Sequence, residues 1–422
     1  MKRMIPLFFS IVLISAAAGP WTANCDPIQV LVITGGHDFD PPFFTVFEGH
    51  PDIVYAKAEQ PKANTMFADG SAMQYDVVVL YDMWQAISEA EKTGFQKYLE
   101  AGKGLVAMHH SIANYQDWDF YRNLIQASYI LDEKGRDIEG RHYPQSQYKH
   151  DVWMDVQIAD PDHPITRGMT GFKIYDEAYK GYYHSPKAHV LLTCEHPDQE
   201  NTLAWIGQEE PTRVVYIQLG HGKEAYATPD FRHLVAQAIR WTARRPTAVP
   251  LFNGRDLTGW KAEGNAVWKV KDGILTGTQN EKMQPGDLLT EESYTDFELT
   301  VEFKAEWPCN SGVWFRYQSA EQAYQADILE WKNPVCWSGS LYCTGKMFLA
   351  LNEDENVVKR EDWNTFVIRC QGDHLTIDLN GVRTADVRDT TSSRGKIGFQ
   401  VHPGDEFKDM AIHIRKVWLL PL

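Results

Sequence analysis

The chain has 422 residues, which is too long for one ordinary hydrophobic core and predicts two domains, with room for a third. Its composition is that of a globular protein, with 43% hydrophobic and 23% charged residues. The formal net charge of -16 would repel nucleic-acid phosphates, so the composition argues against a nucleic-acid partner.

The first 24 residues have the three parts of a secretory signal peptide. The basic pair Lys2 and Arg3 precedes an apolar run over residues 5–14 and the small residues SAAAG. The run is too short for a membrane span, and no later stretch qualifies as one. We therefore expect an exported protein, periplasmic or secreted, with no membrane span. Lipid attachment at Cys25 is the less favoured alternative, because Asn24 stands where such signals carry a small residue.

Strand-like and helix-like segments alternate from position 27 to position 245. The stretches IQVLVITGGH, YDVVVLYD and GLVAMHHS read as buried strands, and VWMDVQIA, HVLLTCEH and TRVVYIQLGHG follow them. Between YDVVVLYD and GLVAMHHS, a capping box formed by Ser88 and Glu91 opens a helix, and DFRHLVAQAIRWTARR predicts a closing amphipathic helix. Near-continuous Val, Ile and Leu runs alternating with helices indicate a parallel sheet covered on both faces.

Polar side chains follow these strands at their carboxyl ends, which is where ligands bind in such sheets. The candidate crevice residues are His37, Asp82, His109, His110, Glu177 and His221. The motif HPITRG, beginning at His163, adds further polar groups. Imidazoles and a carboxylate are donors for a divalent metal, and a polar crevice without a metal is the alternative. No GxGxxG motif follows a strand, so no NAD site is visible.

The motifs TGGHDF, AMHHS, HPITRG, DEAY and QLGHG, in this order, resemble the trehalose-utilisation (ThuA-like) family. The resemblance covers positions 27–245 and implies the class I glutamine amidotransferase-like fold. An amidotransferase would need a cysteine on a Gly-flanked elbow after the strand. This chain has Met108-His109-His110-Ser111 at that place, so nucleophilic amidotransfer is disfavoured.

The second half of the chain begins after the polar stretch TARRPTAVP at positions 242–250, which predicts a domain boundary. From Leu251 to Leu422 short alternating segments recur, and Asn380-Gly381 between two of them predicts a hairpin. No long helix is credible here, so a two-sheet antiparallel sandwich is the expected architecture. Because export permits disulfides, Cys336–Cys343 is a candidate bridge.

Period-two alternation predicts which side chains of the second domain share a face. The side chains expected in the core are Val313, Phe315, Tyr317, Ala326, Ile328, Ile397, Phe399 and Val401. The side chains expected on the opposite face are Trp314, Arg316, Gln325, Asp327, Gln400 and His402, with Glu330 at a strand end. This face combines a stacking ring, a cation, two amides, a carboxyl and an imidazole. An ordinary solvated sheet face is the alternative.

The segments LFNGRDLTGW, NSGVWFR, ADILEW, GSLYCTGK, WNTFVIRCQGDHLTIDLNG and KIGFQVH resemble the 3-keto-disaccharide hydrolase family over positions 251–422. The resemblance implies a concanavalin-like jelly roll that cleaves glycosides whose sugar carries a ketone at C-3. That family often shows a Glu-x-Gln-x-x-Asp pattern where this chain has Gln325, Asp327 and Glu330. The acidic residues of this chain stand at different positions of the strand from those of the family pattern, so the identity of the base stays open.

A ketone at C-3 acidifies the hydrogen on C-2, because the resulting carbanion spreads onto the ketone oxygen as an enolate. We expect Asp327 or His402 to transfer the proton, Arg316 to stabilise the oxyanion, and Trp314 to form part of a sugar platform. The second-tier candidates are Glu330, Tyr342 and Lys346, and the further substrate-binding candidates are Gln325, Gln400 and Asn310.

Two functions therefore compete. The first is an exported enzyme that cleaves 3-keto glycosides, with a ThuA-like domain of related keto-sugar role, supplied with its oxidised sugar by a separate sugar oxidoreductase. The second is a sugar-binding sandwich without catalysis, attached to a ThuA-like domain with or without a divalent metal.

Overall fold

The structure is a computed structural model that describes residues 26–50, 52–333 and 335–422. The predicted signal peptide and Cys25 lie outside these residues, so export and lipid attachment stay predictions. Within the described ranges, the helices all fall short of the length and apolar character that crossing a bilayer requires.

The first domain is built from short strands and helices in alternation. Its strands are β1 (Ile28–Gly35), β2 (Ile53–Glu59), β3 (Val77–Asp82), β4 (Gly104–Met108), β5 (Ala127–Ser128), β6 (Arg136–Ile138), β7 (Arg141–Tyr143), β8 (Gln147–Ile158), β9 (Phe172–Lys180), β10 (Tyr183–His184), β11 (His189–Cys194), β12 (Thr202–Gln208) and β13 (Val214–Ile217). Its helices are α1 (Lys62–Ala68), α2 (Glu89–Glu100), α3 (Asp119–Ile125), α4 (Lys223–Tyr226) and α5 (Pro229–Thr242), with 3₁₀ turns at Pro41–Phe47, Ser71–Gln74 and His109–Ala113.

Nine of the described strands form one sheet in the order β2-β1-β3-β4-β13-β12-β11-β8-β9. The first five strands pair in parallel, and the remaining pairs are antiparallel. The predicted α/β layer is confirmed, but the expected parallel sheet is mixed, because β8 and β11 pair antiparallel. The second half of β8 buries only every other side chain, which suits a strand with one solvated face.

Both faces of the parallel part are covered, as predicted. Val30 and Val32 of β1 pack into the cluster that contains α5, while Leu31 and Ile33 pack into the cluster that contains α1 and α2. The predicted capping box is present at the start of α2, where the Ser88 and Glu91 side chains each accept the other's backbone N–H. Parallel neighbours β1, β3, β4 and β13 end at one edge of the sheet, and that edge carries the histidines.

The second domain is all-β, as predicted. Its strands are β14 (Val249–Pro250), β15 (Trp260–Gly264), β16 (Val267–Lys271), β17 (Ile274–Thr278), β18 (Gly286–Thr290), β19 (Phe297–Glu306), β20 (Asn310–Ser319), β21 (Gln322–Lys332), β22 (Val335–Cys343), β23 (Met347–Asn352), β24 (Asn364–Gln371), β25 (His374–Leu379), β26 (Val382–Arg388), β27 (Lys396–Val401) and β28 (Ala411–Pro421), with 3₁₀ turns at Glu355–Val357 and Asp405–Phe407.

These strands form two antiparallel sheets that enclose one apolar core. One sheet has the order β16-β17-β28-β19-β24-β25-β26, with β14 paired to β28, and the other has the order β15-β18-β27-β20-β21-β22-β23. The hairpin between β25 and β26 turns at Asn380 and Gly381, whose φ angles of 51° and 82° are those of a type I′ turn. The sandwich and its predicted hairpin are therefore both present.

The two domains contact each other through α5 and β28. The His233 ring stacks on Trp418 with ring centroids 4.0 Å apart, and Lys416 Nζ lies 2.9 Å from Asp230 Oδ1. Helix α5 ends at Thr242, and β14 already pairs with β28. The polar connection between them is therefore short.

The expected Cys336–Cys343 bridge is absent from the described residues. Both cysteines lie on β22, and seven residues of extended strand separate Cα atoms by about 23 Å, whereas a disulfide needs less than about 7 Å. All five described cysteines are buried free thiols. The sequence suggested a bridge because its pattern did not show that one continuous strand holds both cysteines.

Candidate functional site

A cavity of about 900 Å³ opens at the carboxyl edge of the parallel strands. His37, His110, Glu177 and His221 line it, as the strand-end pattern predicted, and His109 lies directly behind Glu177. His109, His110, Glu177 and His221 each place one ligand atom within 4.8 Å of the others. We call these four residues the histidine cluster.

Strands β4, β9 and β13 position the histidine cluster. His109 begins a 3₁₀ turn directly after β4 with a left-handed φ of 48°, a strained conformation for a non-glycine residue. The rings of His109 and His110 then lie 4.3 Å apart between centroids. Asp176 of β9 accepts the backbone N–H groups of Gly220 and His221 at 2.6 Å and 2.8 Å, which holds the loop after β13.

Glu177 is the carboxylate at the centre of the cluster. Its Oε2 lies 3.0 Å from His109 Nε2 and 3.3 Å from His221 Nδ1. Burial alone would raise the pKa of Glu177, but hydrogen bonds from His109 and His221 outweigh it and hold the pKa below its ordinary value. Burial would lower the pKa of His221, and the hydrogen bond and charge of Glu177 raise it instead.

Two contributors to this cavity were missed by sequence reasoning. His150 Nδ1 lies 3.2 Å from Glu177 Oε1, and the Tyr179 hydroxyl lies 3.0 Å from His109 Nε2. His150 belongs to β8, an antiparallel strand, so a search of parallel strand ends passes over it. The pairing of β8 with β9 brings it to the site, and no local sequence signal marks that pairing.

Besides His109, two predicted crevice groups do not line the cavity in the described part of the chain. Asp82 is buried behind it and accepts from Gln60 Nε2 at 2.8 Å and Asn114 Nδ2 at 2.7 Å. Burial raises the pKa of Asp82 to about 6, although these two hydrogen bonds act to lower it. His163 packs against the Trp241 ring at 5.1 Å and so belongs to the α5 side of the sheet. Asp82 is the last residue of its strand but points into the core rather than past the edge.

A second cavity, of about 420 Å³, lies on the face of the β15–β23 sheet that points away from the core. We call it the sandwich pocket. The predicted residues that line it are Asn310, Trp314, Gln325, Asp327, Glu330, Tyr342, Gln400 and His402. The residues that complete it are Cys309, Leu329, Trp331, Met347, Phe348, Glu406 and Phe407. Period-two alternation therefore predicted most of the polar residues that line the sandwich pocket.

Strand register explains how the polar groups of the sandwich pocket meet. Gly312 pairs with Gln400 on one side and with Asp327 on the other. A Cβ at Gly312 would lie 2.5 Å from Cγ and Cδ of Gln325, so only glycine leaves room for that side chain. Gln325 Nε2 then reaches Gln400 Oε1 at 3.2 Å. The Gln325–Gln400 amide pair thus occupies the space that a side chain at position 312 would fill, beside Asp327.

Asp327 is the buried carboxyl of the sandwich pocket. The residue is 2% exposed, and no described residue donates a hydrogen bond to its carboxyl group or forms an ion pair with it. Burial therefore raises the pKa of Asp327 well above its usual range. Burial thereby favours the neutral carboxylic acid of Asp327, which is the form that can donate a proton.

We expect Asp327 to reduce the stability of the second domain as pH rises. Below about pH 3.9 folded and unfolded chains are both protonated, so the carboxyl costs nothing. Above that pH the unfolded chain releases the proton and the folded chain keeps it, so stability falls by up to about 1.4 kcal/mol per pH unit. Asp327→Asn removes this ionisation. Urea unfolding should give equal stability for both proteins at pH 4 and a more stable variant at pH 7, and a constant difference would contradict the assignment.

Asp287 is a further residue of this face that the sequence did not indicate. It pairs with Gln400 across β18 and β27, and its Oδ1 accepts the Trp314 Nε1–H at 2.8 Å. Burial raises the pKa of Asp287 as well. The bond fixes the Trp314 ring in a plane beside Tyr342, whose ring centroid lies 6.4 Å away.

Arg316 does not belong to the sandwich pocket, contrary to the prediction. The pairing of β20 shifts register after Phe315 and Trp314, and Arg316 has a left-handed φ of 47°. This bulge reverses the alternation, so Tyr317 packs beside Trp314 and Arg316 turns away. The guanidinium is 1% exposed and donates to Thr295 O, Gly372 O, Ser392 O and Asp296 Oδ1. Its role is structural.

Lys346 also lies outside the described lining of the pocket, because its Nζ pairs with Asp389 Oδ2 at 2.5 Å. Glu330 lines the pocket but its carboxylate pairs with Arg360.

His402 is better placed for chemistry. Its Nδ1 lies 2.7 Å from the Pro403 carbonyl, which can only accept, so the proton sits on Nδ1 and the Nε2 lone pair is available as a base.

The two domains match carbohydrate-related family models. Residues 29–242 match trehalose utilisation (ThuA), and residues 247–420 match the 3-keto-alpha-glucoside-1,2-lyase-like domain. The first match covers half of the chain, and the chain belongs to the ThuA family, with the lyase-like domain following.

Several solved structures are similar to parts of this chain. A ThuA-like protein from Parabacteroides merdae is 17% identical with a TM-score of 0.45, and the match covers 53% of this chain and 92% of that one. A glycosyl hydrolase-type protein from Parabacteroides distasonis is 22% identical with a TM-score of 0.33, covering 42% and 100%. A carbohydrate-binding module from Bacillus subtilis is 17% identical with a TM-score of 0.31, covering 38% and 93%. No curated protein matches the chain.

Proposed function

We propose that the sandwich pocket cleaves glycosides of 3-keto sugars by elimination followed by hydration, which amounts to hydrolysis. One observation carries the proposal. A buried carboxyl whose pKa is raised by burial, Asp327, shares one pocket with the free Nε2 of His402 and with the ring of Trp314. Such a pocket holds an acid and a base at the same time, which elimination requires. The family match over residues 247–420 supports the choice of a 3-keto sugar.

The elimination step uses the base first. His402 Nε2 takes the proton from C-2, and the electron pair of that bond moves to C-3 and onto the ketone oxygen as an enolate. Gln400 is suited to stabilise the enolate, because no described residue accepts from its amide N–H groups while Gln325 occupies its Oε1. The amide therefore takes the role first expected of Arg316.

The leaving group departs when the enolate collapses. The electron pair forms a double bond between C-1 and C-2, the C-1–oxygen bond breaks, and Asp327 gives its proton to the departing aglycone oxygen. Water then adds to C-1 and returns a proton to Asp327. The His402 N–H exchanges with solvent before the ring delivers a proton to C-2. Ordinary glycosidases instead need a carboxylate pair around an oxocarbenium ion.

The sugar itself would stack on the aromatic wall of the pocket. Trp314 is held by Asp287, and Tyr342 stands beside it at an interplanar angle of 65°. The cavity volume of about 420 Å³ falls in the range of small-molecule sites.

The substrate would be supplied by an oxidoreductase that converts the C-3 hydroxyl of a glycoside to a ketone. We also propose that the chain is exported, which the N-terminal sequence of the mature protein would test.

We expect the purified full-length protein to release the aglycone from a 3-keto glucoside and not from the matching unoxidised glucoside. Only the ketone makes C-2 acidic, so the reaction in D₂O should also place deuterium on C-2 of the released sugar. Aglycone release can be followed by chromatography and the label by mass spectrometry.

Release from the unoxidised glucoside at a similar rate would contradict the elimination mechanism, as would release without deuterium at C-2. Binding of the 3-keto glucoside in a calorimeter without any turnover would instead identify the second domain as a binding module.

A further inference from the structure

We propose that His109, Glu177 and His221 bind one divalent transition-metal cation in the cavity of the first domain. Zn²⁺ is the representative cation, because two imidazoles and a carboxylate suit it. The proposal concerns the first domain alone and does not depend on the chemistry of the sandwich pocket.

The three donor atoms have the spacing of metal ligands. His109 Nε2 lies 3.0 Å from Glu177 Oε2 and 3.2 Å from His221 Nδ1, and the latter two atoms lie 3.3 Å apart. Ligands at about 2.0–2.1 Å from a tetrahedral zinc ion lie about 3.3 Å from one another. A single cation could therefore contact all three donors with little movement of the chain.

The protonation pattern of His109 also favours a cation. Its Nδ1 lies 2.5 Å from the carbonyl oxygen of Gln218, which can only accept, so Nδ1 carries a proton. The other ring nitrogen, Nε2, points at Glu177 Oε2 and at the Tyr179 hydroxyl, each 3.0 Å away. Nε2 is therefore the ring atom available to a cation held between Glu177 and His221.

The surroundings of the ligands resemble the support that metal sites use. Metal-binding histidines usually donate their other ring N–H to a carbonyl or carboxylate, as His109 does to Gln218. The Gln218 side chain in turn donates to the Glu177 carbonyl at 2.7 Å, and Asp176 holds the backbone of His221. Each of the three proposed ligands is therefore fixed by a bond that leaves its donor atom free.

His110 supplies an independent observation. It is 3% exposed and lines the cavity, yet neither of its ring nitrogens has a hydrogen-bond partner among the described residues. Buried polar groups are rarely left unpaired unless a water, ion or ligand completes them. Its donor atom lies within 4.8 Å of the three proposed ligands, so it can serve as a fourth ligand or bond a molecule on the metal.

The remaining positions of the cation would face the open cavity. His37 stacks on His110 at 3.8 Å between ring centroids, and His150 approaches Glu177 from the other side. A cation with three protein ligands keeps a position for water or for a hydroxyl or carbonyl oxygen of a polar ligand. With three protein ligands the centre would be open, as catalytic sites are, and with His110 as a fourth ligand it would be closed.

The test is direct measurement of Zn²⁺ binding to the full-length protein. After removal of metal with a chelator, we expect titration calorimetry to show one tight Zn²⁺ site per chain, and elemental analysis after gel filtration to retain one equivalent. Glu177→Gln and His221→Ala should each weaken binding by about 100-fold or more, because each removes a ligand. X-ray absorption of the Zn²⁺-loaded protein should show nitrogen and oxygen neighbours only.

His142→Ala is the matched control, because His142 Nδ1 pairs with Asp137 Oδ1 at 2.8 Å in a histidine–carboxylate pair on the surface, with 60% of its side chain exposed. This variant should bind Zn²⁺ like the unmodified protein. The half-buried His221 gives a variant that should fold even if Glu177→Gln does not, and circular dichroism checks each one. Absence of tight Zn²⁺ binding to the unmodified protein would overturn the proposal, and so would an equal loss of binding in the control variant.

Discussion

Asp327→Asn should slow the release of an alkyl aglycone from a 3-keto glucoside by about 10²–10⁴-fold. The substitution keeps the shape of a buried side chain that no described residue bonds, but it removes the proton that the leaving oxygen needs. A nitrophenyl aglycone leaves without protonation, so the same variant should lose far less activity on that substrate. Initial rates on the two substrates, measured with one protein preparation, give the comparison.

Asp386→Asn provides the matched control for this experiment. Asp386 is an exposed carboxylate on the other sheet, where it pairs with His374 and Arg383, and its loss should leave both rates unchanged. An equal loss on the alkyl and nitrophenyl substrates would show that Asp327 acts in another step. Full activity of Asp327→Asn on the alkyl substrate would remove it from the mechanism.

Arg316→Met should destabilise the second domain by about 2–4 kcal/mol while leaving the chemistry intact. The buried guanidinium donates to three carbonyl oxygens and to Asp296 Oδ1, and methionine would remove all of these bonds, leaving Asp296 Oδ1 only the Gly372 N–H. Urea unfolding followed by tryptophan fluorescence measures the loss. At a temperature where the variant is fully folded, kcat on the 3-keto glucoside should stay within about threefold of the unmodified value, since Arg316 does not contact the pocket.

The control for Arg316 is Arg383→Met, because Arg383 is 41% exposed and bonds Asp378 at 2.6 Å at the surface. Its loss should cost less than about 1 kcal/mol. If Arg316 instead stabilised the enolate, its replacement would reduce kcat by about 10²–10³-fold with little loss of stability. The two measurements therefore separate a structural arginine from a catalytic one.

Much of the site was predictable because local pattern and sheet geometry agree over most of its length. The carboxyl ends of parallel strands must meet at one edge, and this rule placed His37, His110 and His221 together. Alternation along β21 likewise placed Gln325 and Asp327 on the face away from the core, since strand side chains alternate strictly where no bulge intervenes.

The failures have equally specific causes. Arg316 was assigned to the wrong face because a bulge after Phe315 breaks the period of two, and nothing in the residues around it marks that bulge. His150 was missed because it lies on an antiparallel strand that reaches the site through β9, and Asp287 because its strand pairs with the distant β27. Asp82 was misplaced because the last residue of a strand points either past the sheet edge or into the core.

The sequence alone determined the two-domain organisation, the α/β layer and the sandwich, because hydrophobic periodicity and turn residues act locally and report on burial directly. It also determined which chemical groups were available to each half. Only the tertiary structure decided which of them meet. Strand register, one bulge and the gap at Gly312 set those distances, and they depend on pairing between segments far apart in the chain. The triangle of His109, Glu177 and His221 is such a product, since Glu177 lies within β9 and the two histidines follow β4 and β13.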